Sequence, residues 1–94
     1  MDLKGKTIVI TGAGRGLGRK MAEVIAREGA RIALAGIHEA GLQETARLCI
    51  EAGSEARSYV ADVANEAQVE TLFASVRRDF GSVDGLSFPK IPSG

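Results

Sequence analysis

Two hydrophobic periodicities alternate along this 94-residue chain. Thr7-Ile8-Val9-Ile10-Thr11 is a short, β-branched, continuously apolar run, the pattern of a strand covered on both faces. From Gly16 the period changes. Leu17, Met21, Val24 and Ile25 fall at i, i+4, i+7 and i+8, one apolar stripe of a helix, and Gly29 supplies a left-handed stop after Glu28. Arg31 to Ala35 reads as a second strand. The unit then repeats with different residues: Leu42, Thr45, Ala46 and Cys49 share a helical face, Gly53 ends that helix, and Arg57 to Ala61 reads as a third strand. Val69, Leu72, Phe73, Val76 and Phe80 form the cleanest stripe, closed by Gly81, and a fourth strand can begin near Asp84.

The order is therefore β-α-β-α-β-α. Right-handed crossovers between parallel strands leave one economical arrangement for it, an α/β fold with a doubly wound parallel sheet and helices on its faces. The units share no sequence repeat, so a solenoid is not expected. Ninety-four residues suffice for one domain, burying roughly 60 to 65% of the unfolded chain's surface, so stability should be modest. Hydrophobic content of 45%, charged content of 26% and 12 glycines fit an ordinary globular protein with more turns than average.

Net charge is zero but unevenly spread. Seven of the twelve basic residues lie in the first 31 positions against three acids, so that end leans toward an anionic ligand. No basic stripe is interleaved with aromatics, which argues against nucleic acid. Cys49 is the only cysteine, a buried filler compatible with a reducing compartment. The segment from Met1 to Lys6 is polar, and no apolar stretch approaches the roughly 20 residues of a membrane span. These features point to the cytoplasm, with no membrane partner.

The stretch "TGAGRGLG", residues 11 to 18, follows the first strand directly and places four glycines in seven positions. Gly12 stands where the chain must turn sharply. Gly16 and Gly18 stand at the helix start, where absent side chains let a ligand and the sheet approach closely. Free N–H groups and the helix dipole then face the crevice, and a pyrophosphate suits them. A P-loop is excluded, because its second glycine and lysine would need to start at Leu17 or Arg19. The Gly-x-Gly-x-x-Gly fingerprint fails at the same two positions. The spacing that fits is Thr-Gly-x-x-x-Gly-x-Gly.

With that spacing the chain resembles the short-chain dehydrogenases/reductases. The lead-in "LKGKTIVITG", the "ADV" of Ala61-Asp62-Val63 and "FGSVDGL" from Phe80 to Leu86 are similar to the family at corresponding positions. The resemblance implies a partial Rossmann-like domain over residues 1–86, a dinucleotide cofactor, and hydride transfer between NAD(P) and an alcohol or carbonyl substrate. It implies contacts to the cofactor from Gly12, Arg15, Gly16, Leu17, Gly18, Gly36, Ile37, Asp62 and Val63. Asp62 would bond the adenine amino group and Val63 would meet the ring through its backbone. Read by itself, an Asp at a strand's carboxyl end serves equally as a helix cap.

The resemblance stops after Leu86. Residues 87–94 do not continue into the family's Asn-Asn-Ala-Gly motif, and the Ser and the Tyr-x-x-x-Lys pair that carry the family's chemistry are not in this sequence. Four residues beyond the one tyrosine, Tyr59, stands Val63, so Tyr59 is read as a packing residue. His38, the only histidine, is read as a surface loop residue near the expected ribose, and no metal cluster is placed by spacing. The expectation is a cofactor-binding fragment, inactive by itself, with a truncation or frame shift behind the boundary; the alternative is a noncatalytic module that associates with a full-length relative. Pro89 and Pro92 cannot donate ladder hydrogen bonds. A short or absent fourth strand would then leave the edge of the first strand uncovered and open to self-association.

Cofactor choice turns on the end of the second strand. An acid there accepts both ribose hydroxyls and marks NAD, but Gly36 fills the place and Ile37 follows. Arg15 in the glycine loop supplies one cation for a 2′-phosphate, or is simply solvated. The lean is to NADP, with NAD the alternative.

Overall fold

A computed structural model describes residues 3–87. Strands β1 (Thr7–Thr11), β2 (Arg31–Gly36), β3 (Ala56–Val60) and β4 (Gly85–Ser87) alternate with helices α1 (Gly16–Arg27), α2 (Glu39–Glu51) and α3 (Glu66–Phe80). The sheet is parallel throughout, in the order β3-β2-β1-β4. The strand order reverses direction at β1, the topological position at which open α/β sheets form a crevice.

Alternate side chains of the central strands serve the two faces, as strand geometry requires. Ile8, Ile10, Ile32 and Leu34 pack with Ala22 and Ala26 of α1 and with Leu42 and Cys49 of α2. On the other face, Val9, Ala33 and Ala35 pack with Leu72, Val76 and Phe80 of α3. The sheet is therefore doubly wound, as the periodicities predict. Phe80 also lies beneath the Arg31 guanidinium, 5.5 Å from ring centroid to Cζ.

Helix α3 carries its own stops. The Asn65 side chain accepts from the Gln68 N–H at 3.1 Å, and Gly81 takes the left-handed conformation at the far end with φ 88°.

Three expectations need correction. The stripe Leu17-Met21-Val24-Ile25 is not the face that α1 lays on the sheet: Gly18, Ala22 and Ala26 are buried, while Leu17 and Val24 are about half exposed. Of the stripe, Ile25 packs against the core. The reason is that Ile8 and Ile10 of β1 fill the space beneath α1, which leaves room only for small residues on the helix side. The third strand runs one residue earlier than its hydrophobic pattern indicates, from Ala56, because its pairing begins opposite Ile32.

The edge of β1 is not left uncovered. β4 is short, but its three residues pair with Ile8, Val9 and Ile10, so among the described residues the outer strands of the sheet are β3 and β4. The tail expected from residue 87 lies outside the described residues except for Ser87.

Candidate functional site

β1 ends at Thr11 and α1 begins at Gly16, so the chain reverses over four residues. Gly12 and Gly16 adopt φ of 63° and 59°, a region costly for residues with a Cβ. Open space stands where a Cβ would project from either. Gly18 is glycine for a different reason: its Cβ would lie 2.1 Å from the Gly12 carbonyl oxygen. The Ala13 N–H donates to the Ala35 carbonyl at 3.2 Å, tying the loop to the end of β2.

At the carboxyl ends of β1, β2 and β3 lies a crevice of about 290 Å³. It is lined by Gly12, Gly14, Arg15, Gly36, Ile37, His38, Ala61, Asp62 and Val63. Six of the nine residues singled out in the sequence thus meet around one space. Gly16 and Leu17 border a neighbouring shallow hollow with Arg19, Lys20 and Glu23, and Gly18 is buried beneath the loop. Gly14, His38 and Ala61 also line the crevice. Gly14 lies within the glycine run and Ala61 within "ADV", so adjacency to those motifs is the signal that could have found them.

Asp62 is not the N-cap of α3. Its carboxylate accepts from the Ala64 N–H at 2.9 Å, its own N–H donates to Gln68 Oε1 at 2.7 Å, and the cap of α3 is Asn65. Asp62 is exposed at the crevice. Among the lining residues, Arg15 is the lysine- or arginine-type cation and Asp62 the carboxylate. Ile37 and Val63 present exposed apolar surface at the mouth, 62% and 43% accessible, suited to the flat face of an aromatic ligand.

Helix α1 has no side-chain cap at its amino end and no acidic residue in its first turn. Its leading N–H groups and dipole are therefore available to an anion. A larger and more open hollow, about 530 Å³, lies between β3 and α3 beside Tyr59, Gln68 and Ser75. It lacks the glycine loop and the uncapped amino end of α1, and the crevice is the better candidate on chemistry. Tyr59 is half-buried, and its hydroxyl donates to Asp79 Oδ2 at 2.7 Å. Burial and that carboxylate push the phenol well above its ordinary range. Cys49 is buried, and burial raises its thiol to about 11. Among the described residues no helix is long and apolar enough to cross a membrane.

The chain is 36% identical over 83 residues to 17-beta-hydroxysteroid dehydrogenase 13 of Mus musculus, covering 88% of this chain and 27% of that protein. It is 43% identical over 84 residues to 3beta-hydroxysteroid dehydrogenase 1 of Eggerthella lenta, covering 88% of this chain and 32% of that one. Among solved structures, an NAD+-bound xylitol dehydrogenase matches with a TM-score of 0.87 at 41% identity, over 92% of this chain and 33% of its own. A short chain dehydrogenase/reductase from Burkholderia phymatum in complex with NAD matches with a TM-score of 0.86 at 40% identity, over 92% of this chain and 31% of its own. The chain thus spans a third or less of the length of these relatives. With the sequence pattern of the short chain dehydrogenases matched over residues 6–88, this chain belongs to that family.

Proposed function

We propose that this chain binds an adenine dinucleotide in the crevice above β1, β2 and β3, NADP(H) in preference to NAD(H). The observation that carries the reading is the turn from β1 into α1. Gly12 and Gly16 hold left-handed conformations beside open space, and Gly18 sits against the Gly12 carbonyl, so the uncapped end of α1 is accessible to a pyrophosphate. Asp62 and Val63 would meet the adenine, Gly36 and Ile37 its ribose, and Leu17 the phosphates through its backbone N–H. The NAD-bound relatives support a dinucleotide as the ligand. Arg15 favours a 2′-phosphate, and no acid stands at Gly36 to repel one.

In a whole short chain dehydrogenase, the bound nicotinamide supplies or accepts a hydride. These 94 residues contribute the adenosine and pyrophosphate side of such a site and have no Tyr-x-x-x-Lys pair. The one tyrosine is committed to Asp79. They are therefore expected to bind cofactor without turning over alcohols or ketones, in a cytoplasmic setting. Fluorescence titration with NADPH and NADH, with an oxidation–reduction assay on a panel of alcohols and ketones, tests both halves. Absence of binding defeats the first half and measurable turnover the second.

Among the described residues no strand pairs with the outer edge of β4, which favours a second reading, in which the fragment associates through that edge with another copy or with a full-length relative. Sedimentation over a range of concentrations tests it; a monomer throughout would defeat self-pairing.

A further inference from the structure

We propose that Arg19 and Thr45 are positioning residues that set the direction of two peptide N–H groups in the glycine loop, those of Gly14 and Arg15. The inference rests on the dinucleotide reading and names a device in that site which the glycine spacing does not contain. Arg19 lies in the first turns of α1 and Thr45 in α2, and the two meet behind the loop. The Arg19 guanidinium donates from Nε to Thr45 Oγ1 at 2.9 Å and from one terminal nitrogen to the carbonyls of Gly14 at 2.6 Å and Gly41 at 3.1 Å. Thr45 Oγ1 in turn lies 2.7 Å from the Ala13 carbonyl and 3.0 Å from that of Gly41.

A hydroxyl has one proton to give. Gly41 already receives an N–H from Arg19, and Thr45 accepts from Arg19 Nε, so the Thr45 proton goes to Ala13, its shorter contact. Two consecutive loop carbonyls, Ala13 and Gly14, are thereby held toward α2. No peptide bond here is cis, and in a trans peptide the carbonyl and the following N–H point in opposite directions. The N–H groups of Gly14 and Arg15 are consequently turned away from α2, on the side where both residues line the crevice. Close approach of α2 is part of the same arrangement, since a Cβ on Gly41 would lie 2.5 Å from the Gly14 oxygen. Arginine suits the position because its planar fork reaches three acceptors at fixed angles, which an ammonium cannot reproduce.

The test compares the 94-residue chain with Arg19→Met, Arg19→Lys and Thr45→Val. Amide order parameters without ligand read the device directly. Gly14 and Arg15 should fall from about 0.85 toward 0.6 in Arg19→Met, with β1 unchanged, and Arg19→Lys should recover part of the loss. Titration with ADP and with adenosine reads its use: Arg19→Met should weaken ADP about tenfold or more and adenosine by less than about twofold, because only ADP carries the pyrophosphate. If Arg19→Met does not fold, Thr45→Val carries the same two readouts with smaller changes. Unchanged loop order in a folded variant overturns the proposal, as does equal weakening of ADP and adenosine. Loss of loop order in Arg19→Met, with no ADP binding by the unmodified chain, upholds the clamp and defeats the dinucleotide reading.

Discussion

Thr7 and Asp84 are joined twice: the Thr7 N–H donates to Asp84 Oδ2 at 2.9 Å, and the Asp84 N–H donates to the Thr7 carbonyl at 2.8 Å. The pair fixes the start of β4 against the start of β1, and the three residues of pairing that follow would be a weak anchor without it.

The Thr7 N–H holds the Asp84 carboxyl below its ordinary value. A carboxyl depressed in the folded state adds stability that is present above its unfolded pKa, about 3.9, and is lost as pH falls through the lower folded value. Asp84→Ala should therefore lower the melting temperature at neutral pH, with the deficit shrinking in acid. Melts of both chains from pH 7 to pH 2.5 check this, and a deficit constant over that range would contradict it.

Gly18 and Gly14 should respond differently to alanine although both belong to the glycine run. A Cβ at Gly18 strikes backbone at 2.1 Å, whereas at Gly14 the nearest atom is 3.5 Å away. Gly18→Ala should cost about 1–3 kcal/mol or more, as overpacking does. Gly14→Ala should stay within about 1 kcal/mol. Urea unfolding of the two variants checks the contrast.

Tyr59→Phe removes the bond to Asp79 and should cost about 0.5–1.5 kcal/mol at neutral pH. The phenol's raised pKa means that this contribution is whole below the unfolded value of about 10 and disappears as pH climbs toward the folded one. With one tyrosine in the chain, ultraviolet titration reads the group without interference. Ionisation at an ordinary phenol pKa in the folded chain would remove the basis of the prediction.

Cofactor preference should reverse on one substitution. A Cβ at Gly36 meets Leu42 Cδ2 at 3.4 Å, a flexible neighbour, so an aspartate can be accommodated there. Gly36→Asp should shift the NADPH-to-NADH affinity ratio toward NADH about tenfold or more, and Arg15→Ala should weaken NADPH by a similar factor. Tighter NADH binding by the unmodified chain, or indifference of NADPH to Arg15→Ala, would sink the assignment.

The loop and the sheet were legible because they rest on local signals. Left-handed glycines and β-branched runs announce themselves over a few residues, and so Gly12, Gly16 and β1 stand where the spacing puts them. The inward face of α1 was not legible, since a hydrophobic stripe marks the bulkiest residues and the sheet selects the smallest. Nor were the contacts of Arg19 with Thr45 or of Gly14 with Gly41. They join positions 26 and 27 apart in sequence, through the meeting of α2 with α1 and with the glycine loop, which no periodicity records. The covering of β1 depended on backbone pairing, to which Gly85 contributes no side chain.

With Gly18, Ala22 and Ala26 as its inward row, α1 brings the smallest residues to the sheet and rests on Ile8, Ile10, Ile32 and Leu34. The helix side of such a contact has no side-chain rotamers to exchange, which narrows the heights that the glycine loop can take above the sheet. Substitutions on the outer row of Leu17 and Val24 can then vary the chemistry of the surface while the loop keeps its place, leaving solubility and ligand geometry open to separate adjustment.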